Sequence, residues 1–392
     1  MSRFQQFSNS LKKHLFIGSV LTFTLGSCQK DYLELSPVNA ISDVSAYSTP
    51  EKLQAQVRSL YSRLASESLY GGRYIIFNEQ RGDEFGQNDG NNSTGANVWN
   101  QSISGSGDFV NAVWNAAYST INYANLLLDN LPTTTVIDPT TKEQYLAEAK
   151  FIRGLAYFSL VQTYARPYAQ NAAAIGLPLR LKGETSGSNN DLAFAPVAAV
   201  YEQILRDLDE AEQGLPDQYP DALTSISRAR KAAAIALKTR VYLVQGDFQK
   251  VVDEASKIVD ASLPSGTAAL GLETDISTVF SGSYTGKEGI LTIPFALPAE
   301  APGLQSSLAG NYLSPVLYLH PTSIVAHSVF QPESTDKRKE FIKTNAVGQQ
   351  LLHKFQKYSA PFTDYVPVIR YAEVVLNYAE AAAELGQHAL AL

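Results

Sequence analysis

A tryptophan lies among amide side chains in a polar stretch of the chain, a combination suited to binding sugars. Trp99 stands between Asn97 and Asn100 in residues 82–107, which are rich in Gly, Asn and Ser. The apolar C–H face of a pyranose can stack on an aromatic ring, while its hydroxyl groups need partners such as Asn side chains. A large ring in so polar a segment is either a ligand platform or a hydrophobic plug beneath the loop. Trp99, Asn97 and Asn100 are therefore candidate ligand-binding residues.

Tyrosines form a second group of candidates. Tyr70 and Tyr74 flank Gly71-Gly72 and could reach the same early loop. Rings of the later polar region that could also bind a ligand are Tyr284, Tyr312 and Tyr358, followed by Tyr318, Phe362 and Tyr365. Each ring taken singly is better explained by packing, because so many rings cannot all line one site. Trp114 is in phase with the apolar stripe of a predicted helix, so we assign it to packing.

The residue types needed for catalysis are not arranged for it. The five histidines include no H-E-x-x-H pair, and the chain has neither a G-x-S-x-G elbow nor a Walker-type phosphate loop. The acidic residues Asp207, Asp209, Glu210 and Glu212 fall on the polar side of a predicted helix, which favours a solvated face over an acid/base pair. We predict a protein that is not an enzyme and that has no cofactor and no metal site.

Cys28 is the only cysteine and follows a segment typical of a bacterial lipoprotein leader. Three basic residues precede an apolar run at residues 15–25, which is shorter than the roughly 20 residues needed to span a membrane. The run ends in Leu25-Gly26-Ser27-Cys28, the lipobox pattern in which the cysteine is acylated. We predict a signal peptide at residues 1–27 and attachment to membrane lipid through Cys28, rather than a chance cysteine after an ordinary signal peptide.

The net charge of the chain limits the classes of partner that we expect it to bind. Removal of a leader with three positive and no negative charges would change the net charge from −7 to −10. Such acidity disfavours nucleic acid and anionic lipid surfaces as partners.

Apolar side chains at three- and four-residue steps predict a series of helices. These helices cover residues 108–130, 143–166, 196–214, 228–245, 247–260 and 368–385. Gly246-Asp247 separates two of them with the spacing of a tetratricopeptide hairpin, and Gly386 stands in the corresponding place of a further copy. The fold class is therefore mainly α: a tetratricopeptide-like scaffold of helical-hairpin repeats with long irregular loops. The repeats occupy about residues 108–166, 196–260 and 368–392.

The loops are expected to form one ligand-binding face. They comprise residues 70–107 and 262–367, with only short strand-like runs such as Ile290-Leu291-Thr292-Ile293. Loops of this length are usually functional or disordered, and their many aromatic residues argue against disorder. We expect a single domain over residues 28–392. The sequence stops soon after Gly386, inside what would be a partner helix, so we also expect a truncated C-terminus.

Several segments, in this order along the chain, resemble the SusD/RagB family of outer-membrane lipoproteins. They are Asp31-Tyr32-Leu33 after the lipobox, Arg81-Gly82-Asp83-Glu84, Trp114-Asn115-Ala116-Ala117-Tyr118 with Asn125, residues 147–158 (AEAKFIRGLAYF) and residues 370–381 (RYAEVVLNYAEA). The resemblance implies tetratricopeptide-like helix pairs that support a loop-built ligand face. It also implies a nutrient-binding lid on a SusC-like TonB-dependent transporter at the cell surface.

The resemblance leaves the cargo open. Oligosaccharide is our first expectation, and capture of peptides, as in the RagB branch, is the second. A third alternative is a scaffold that binds other proteins, although such a scaffold would need only short turns between its helices.

Overall fold

The computed structural model describes residues 45–88, 92–105, 107–187, 191–259, 270–313 and 316–391. The predicted signal peptide and Cys28 lie outside these residues. The chain divides into two compact units, residues 1–48 and 49–392. The described part of the first unit is a 3-10 turn at Ser45–Tyr47. Among the residues described in either unit, no helix combines the length and apolar character required to cross a membrane.

The second unit is mainly helical. Its helices are α1 Pro50–Leu64, α2 Arg73–Arg81, α3 Ala96–Trp99, α4 Asp108–Asn130, α5 Pro139–Tyr164, α6 Val197–Gly214, α7 Ala222–Ser227, α8 Lys231–Gln245, α9 Phe248–Val259, α10 Leu308–Leu313, α11 Tyr371–Glu384 and α12 His388–Ala391. Its strands are β1 Phe85–Gln87, β2 Ile175–Pro178, β3 Phe194–Pro196, β4 Gly289–Ile293, β5 Leu317–Leu319, β6 Ile342–Thr344, β7 Gln350–Leu352 and β8 Val366–Arg370. Short 3-10 turns occupy parts of the connections.

The six helices predicted from periodicity are present as α4, α5, α6, α8, α9 and α11, and each packs on the next. Three of them differ at their first turn. Helix α8 begins at Lys231 and not at residue 228, because the backbone of Arg228 and Arg230 is extended. Helix α5 begins at Pro139 because the side chain of Asp138 caps it, accepting the Thr141 N–H at 2.9 Å. Residues 368–370 were expected to be helical, but they belong to β8, which pairs antiparallel with β4. Helix α2 lies within the region expected to be loop.

The turns between repeats follow one pattern. Gly246 has a left-handed φ of 76°, its N–H donates to Leu243 O, and the Asp247 N–H donates to Tyr242 O. Gly386 has a φ of 72°, and the N–H groups of Gly386 and Gln387 likewise bond to carbonyls of the preceding turn. Glycine adopts this conformation without a steric penalty, so both helices end where the repeat spacing predicts. The tetratricopeptide-like fold class is confirmed.

Helix α5 is the centre of the stack and is buried on nearly every side. Gly154 lets α6 approach closely, because a Cβ at this position would lie 3.3 Å from Leu208 Cδ2. Next to this contact, Arg153 forms a bidentate pair with Asp207 of α6, from Nε to Oδ2 at 2.8 Å and from Nη2 to Oδ1 at 2.6 Å. Both side chains are buried. The expectation that Asp207 lies on a solvated face is therefore wrong, because Arg153 of α5 supplies a buried ion-pair partner for its carboxylate. Burial alone would lower the pKa of Arg153, but the bonds to Asp207 outweigh it and raise the pKa, so the guanidinium stays charged.

The same arginine reaches a third helix and, through it, a connecting segment. Arg153 Nη1 donates to Asn125 Oδ1 of α4 at 2.8 Å, and Asn125 Nδ2 donates to Arg180 O at 2.9 Å. Asn122 bonds to both the N–H and the C=O of Glu184, and Asp129 accepts the Gly183 N–H at 2.7 Å. Residues 178–184, which we call the strap, are thus fastened along one face of α4.

Aromatic side chains fill the interior of the loop-rich region. Strands β1, β5, β7 and β6 form a four-stranded sheet in that order. Phe85 of β1 stacks on Tyr312 with ring centroids 5.5 Å apart, and Tyr312 stacks on Phe355 at 6.1 Å. Phe280 meets Phe355 edge-on at 6.0 Å. The aromatic residues of the later segments therefore order the loops mainly by packing on one another.

Replacement of Arg153 by Met is expected to lower the free energy of unfolding by about 3–5 kcal/mol, because it leaves the Asp207 carboxylate buried without its partner. Chemical denaturation followed by circular dichroism measures this loss.

Lys150→Met is the matched control, since Lys150 pairs with Glu210 between the same two helices but at the surface. It should cost less than about 1 kcal/mol. Equal effects of the two substitutions would contradict a special role for the buried pair.

Candidate functional site

Trp99 lies at the edge of the four-stranded sheet with part of its ring in solvent. Its side chain is 39% exposed, and its Nε1–H donates to Phe85 O at 3.1 Å. The Asn88 N–H donates to Val316 O and the His320 N–H donates to Glu84 O, so Phe85 directs its own backbone groups away from β5. The indole thus satisfies a carbonyl of an edge strand. One hydrogen bond fixes the ring while part of its surface stays open to a ligand.

A buried amide network positions the turn that carries Trp99. Gln80 Nε2 of α2 donates to Gln87 Oε1 at 2.9 Å and to Thr94 O at 2.5 Å. Gly95 has a φ of 81° and packs so tightly on Gln80 that a Cβ would lie 2.1 Å from Oε1. Helix α3 begins directly after this glycine. The orientation of the Trp99 ring is therefore set by α2 and β1 and not by the loop alone.

The two candidate asparagines flank Trp99 differently. Asn100 is exposed, and its Oδ1 accepts bonds from Ser102 N at 3.1 Å and from Ser102 Oγ at 2.5 Å. Asn97 is partly buried, and within the described residues its buried Oδ1 has no hydrogen-bond partner. Asn100 is thus an exposed amide next to Trp99 in the chain. Asn97 lies beneath the turn.

Further polar and aromatic groups lie along β1 and β5. The Tyr318 ring covers Gly86, where a Cβ would lie only 2.3 Å from Cζ, and Tyr318 is partly exposed. One residue beyond β1, the Asn88 and Gln349 side chains exchange amide hydrogen bonds of 3.0 and 2.8 Å. Trp99 and Tyr318 therefore flank the same short strand, close to a pair of amides. We refer to these four residues, with Asn100, as the sheet-edge site.

Three of the candidate tyrosines lie in the interior. Tyr70 is buried and its hydroxyl bonds to Ser159 Oγ at 2.9 Å, while Tyr312 lies between Phe85 and Phe355. Tyr284 is buried and donates to Glu273 Oε1 at 2.8 Å. Burial raises the pKa of all three hydroxyl groups, so they stay protonated. These rings support the loops from within, and we leave them out of the proposed site.

Two further candidate tyrosines are also separate from the Trp99 ring. Tyr74 is partly buried and packs on Tyr70 with ring centroids 4.8 Å apart. Tyr358 is 57% exposed and meets the edge of His353, in a hollow of about 170 Å³ that is also lined by Lys337 and Lys343. His353 follows β7, and Trp99 caps β1, on the other side of the intervening β5. The structure does not bring Tyr358 and Trp99 together.

A wider groove of about 960 Å³ runs between α1 and residues 291–302. Its floor includes Tyr61 and Arg228, but both bond to the buried carboxylate of Glu148. Their polar atoms are therefore occupied within the protein. None of the sequence-derived candidates lines this groove.

Only weak signals in the sequence indicate the amide pair and the role of Tyr318. Asn88 and Gln349 are 261 residues apart in the chain, so only the folded sheet reveals their contact. Gly86 is a small residue beside a strand-forming phenylalanine, and this was the available sign that another group covers the backbone there.

Comparison with known proteins identifies the family. A family model described as "Starch-binding associating with outer membrane" matches residues 31–243, and a SusD family model matches residues 351–392. SusD-like protein P2 of Formosa agariphila is 30% identical over 290 residues, which cover 73% of this chain and 53% of that protein. The chain thus spans about half the length of this relative.

Solved structures agree with the family models. A SusD superfamily protein from Bacteroides fragilis superposes with a TM-score of 0.79 and 28% identity, covering 88% of this chain and 77% of that one. A laminarin-binding SusD-like protein shares the fold with a TM-score of 0.68 at 21% identity, over 85% of this chain and 80% of that one. With its helical-hairpin stack and these matches, the chain belongs to the SusD family.

Proposed function

We propose that this protein is a cell-surface lipoprotein that binds an oligosaccharide and delivers it, without breaking a bond, to a SusC-like TonB-dependent transporter. The observation that carries the proposal is the partly exposed Trp99 ring, held by its hydrogen bond to Phe85 O beside exposed amide groups. Aromatic faces and amide side chains are the two partners that a pyranose needs. The family description as starch-binding and the laminarin-binding relative support a glycan as the cargo.

A fixed ring favours binding of an uncharged ligand such as a sugar. The gain from stacking is small, so it is easily lost if side chains must first be ordered. Trp99 is already held by Phe85 O, and Asn88 and Gln349 already hold each other. The conformational entropy of these groups is already lost on folding. Binding of a sugar would therefore not have to order them.

The anchor and the transporter complete the proposed function. Acylation of Cys28 would attach the chain to the outer membrane, because several acyl chains hold a protein far more firmly than one. The family is associated with the outer membrane. A tethered binding protein keeps its cargo close to the transporter, which is the advantage of effective concentration.

The Trp99→Ala substitution is expected to weaken glycan binding about tenfold or more, since the loss of an aromatic contact of ~1.4 kcal/mol reduces affinity by that factor. Isothermal titration calorimetry with starch fragments and laminarin fragments measures the change.

Ile103→Ala is the matched control, because Ile103 is an exposed apolar residue of the same segment that makes no part of the sheet-edge site. It should leave the affinity unchanged, and circular dichroism should show that both variants are folded at the temperature of the titration. Binding of mixed peptides together with indifference to both glycans would overturn the proposed cargo.

The Cys28→Ser substitution should abolish acylation and move the protein from the membrane fraction to the soluble fraction, because a hydroxyl does not replace the acylated sulfur. Intact mass spectrometry and fractionation of the producing cells follow the two effects. Ser27→Ala keeps a small residue before the cysteine and should remain acylated. A wild-type protein without acyl mass would contradict the anchor.

A further inference from the structure

A second aromatic surface lies on the helical stack and includes none of the residues of the sheet-edge site. Trp114 and Tyr118 are one turn apart on α4, with ring centroids 4.8 Å apart, and both are partly exposed. They form one wall of a cleft of about 690 Å³ between α4, the strap and β3. This volume lies within the range of small-ligand sites. The pattern of the sequence assigned Trp114 to packing, but the structure shows that its ring also borders this cleft.

The two rings of this wall are held in place. Trp114 meets the edge of Tyr164 at 5.1 Å with an interplanar angle of 87°. The Tyr118 hydroxyl donates to Pro178 O of the strap at 2.9 Å. Burial, with a smaller contribution from Tyr157, raises the pKa of Tyr118, so the hydroxyl remains a neutral donor. The wall is therefore rigid before any ligand arrives.

The opposite side of the cleft exposes apolar groups to solvent. Phe194 of β3 is 56% exposed and Leu192 is 46% exposed, and both line the cleft. Covering such surface is favourable by about 25 cal/mol per Å² of apolar area. A ligand that fills the space between Phe194 and the rings of α4 would cover apolar surface on both sides of the cleft.

The polar lining of the cleft is balanced in charge. Arg180 forms an ion pair with Glu184, and Asn122 holds the Glu184 backbone through both of its amide atoms. A guanidinium and a carboxylate side by side offer donors and acceptors but no net charge. This lining suits an uncharged ligand with many hydroxyl groups better than an anion or a cation.

We propose that this cleft is a second oligosaccharide-binding site, in which a sugar ring lies between Trp114, Tyr118 and Phe194 and its hydroxyl groups bond to Arg180 and Glu184. The proposal rests on the proposed function in one respect, that the cargo is a glycan. Two separate sites on one chain would bind a long polysaccharide more tightly than a short fragment, because the second contact is made at a high effective concentration.

The chain allows each site to be observed by itself, since it contains only two tryptophans, Trp99 and Trp114. In the Trp99→Phe variant all tryptophan fluorescence comes from Trp114, and in the Trp114→Phe variant it comes from Trp99. Each variant is titrated with starch oligosaccharides and with laminarin oligosaccharides. We expect a saturable change in Trp114 emission with one of these glycans.

Phe194→Ala in the Trp99→Phe background should weaken that response about tenfold, because one wall of the site is lost. Ile175→Ala is the matched control, as Ile175 is 76% exposed on the paired strand β2 but does not line the cleft. It should leave the response unchanged. A Trp114 response that is indifferent to Phe194→Ala would overturn the proposed geometry.

The outcomes separate the two proposals. If Trp99 emission responds to glycan and Trp114 emission does not, the second site is overturned while the proposed function stands. If Trp114 responds with the expected dependence on Phe194 and Trp99 does not, the cleft is supported and the sheet-edge site fails. A Trp114 response to mixed peptides but to neither glycan overturns the saccharide assignment. Absence of any response from either tryptophan overturns both proposals.

Discussion

The buried pair of Arg153 and Asp207 is the constraint on which the rest of the structure depends. Two charges removed from water lose several kcal/mol of hydration each, so the pair is tolerable only because its hydrogen bonds are well formed. Asp207 also accepts a hydrogen bond from Gln203, and the third guanidinium nitrogen of Arg153 donates to Asn125. Helices α4, α5 and α6 are therefore held in one relative position, and the strap is fastened to α4 by the same network.

Both aromatic surfaces depend on rigid elements beneath them, in two different ways. Trp99 caps an open carbonyl of an edge strand, so the requirement to satisfy a backbone group fixes a ring at the surface. Trp114 and Tyr118 stand on a helix face whose next polar residue, Asn122, holds the strap. In each case a polar contact that the fold needs also determines where an apolar ring meets solvent.

The sequence predicted the helices well because their apolar spacing is local information. It failed at the start of α5, where the cap by Asp138 decides the first turn, and at residues 368–370, where pairing with β4 prevails over helical spacing. Local spacing does not show which of the candidate tyrosines are buried and which are exposed. Whether Tyr312 or Tyr358 reaches solvent depends on partners such as Phe85 and Phe355, which lie far away in the chain.

The residues within the family-like segments explain why the resemblance predicts the fold better than the ligand. Within residues 147–158, Arg153 and Gly154 form the contact between α5 and α6. Asn125, from another of the segments, bonds to the strap. Phe194 and Trp99, which face solvent, lie outside all of these segments, whereas Trp114 and Tyr118 belong to one of them. A change at Phe194 or Trp99 would leave the buried network intact. The scaffold can therefore stay the same while the surfaces that meet the ligand vary, and the identity of the ligand has to be read from the rings and their polar neighbours.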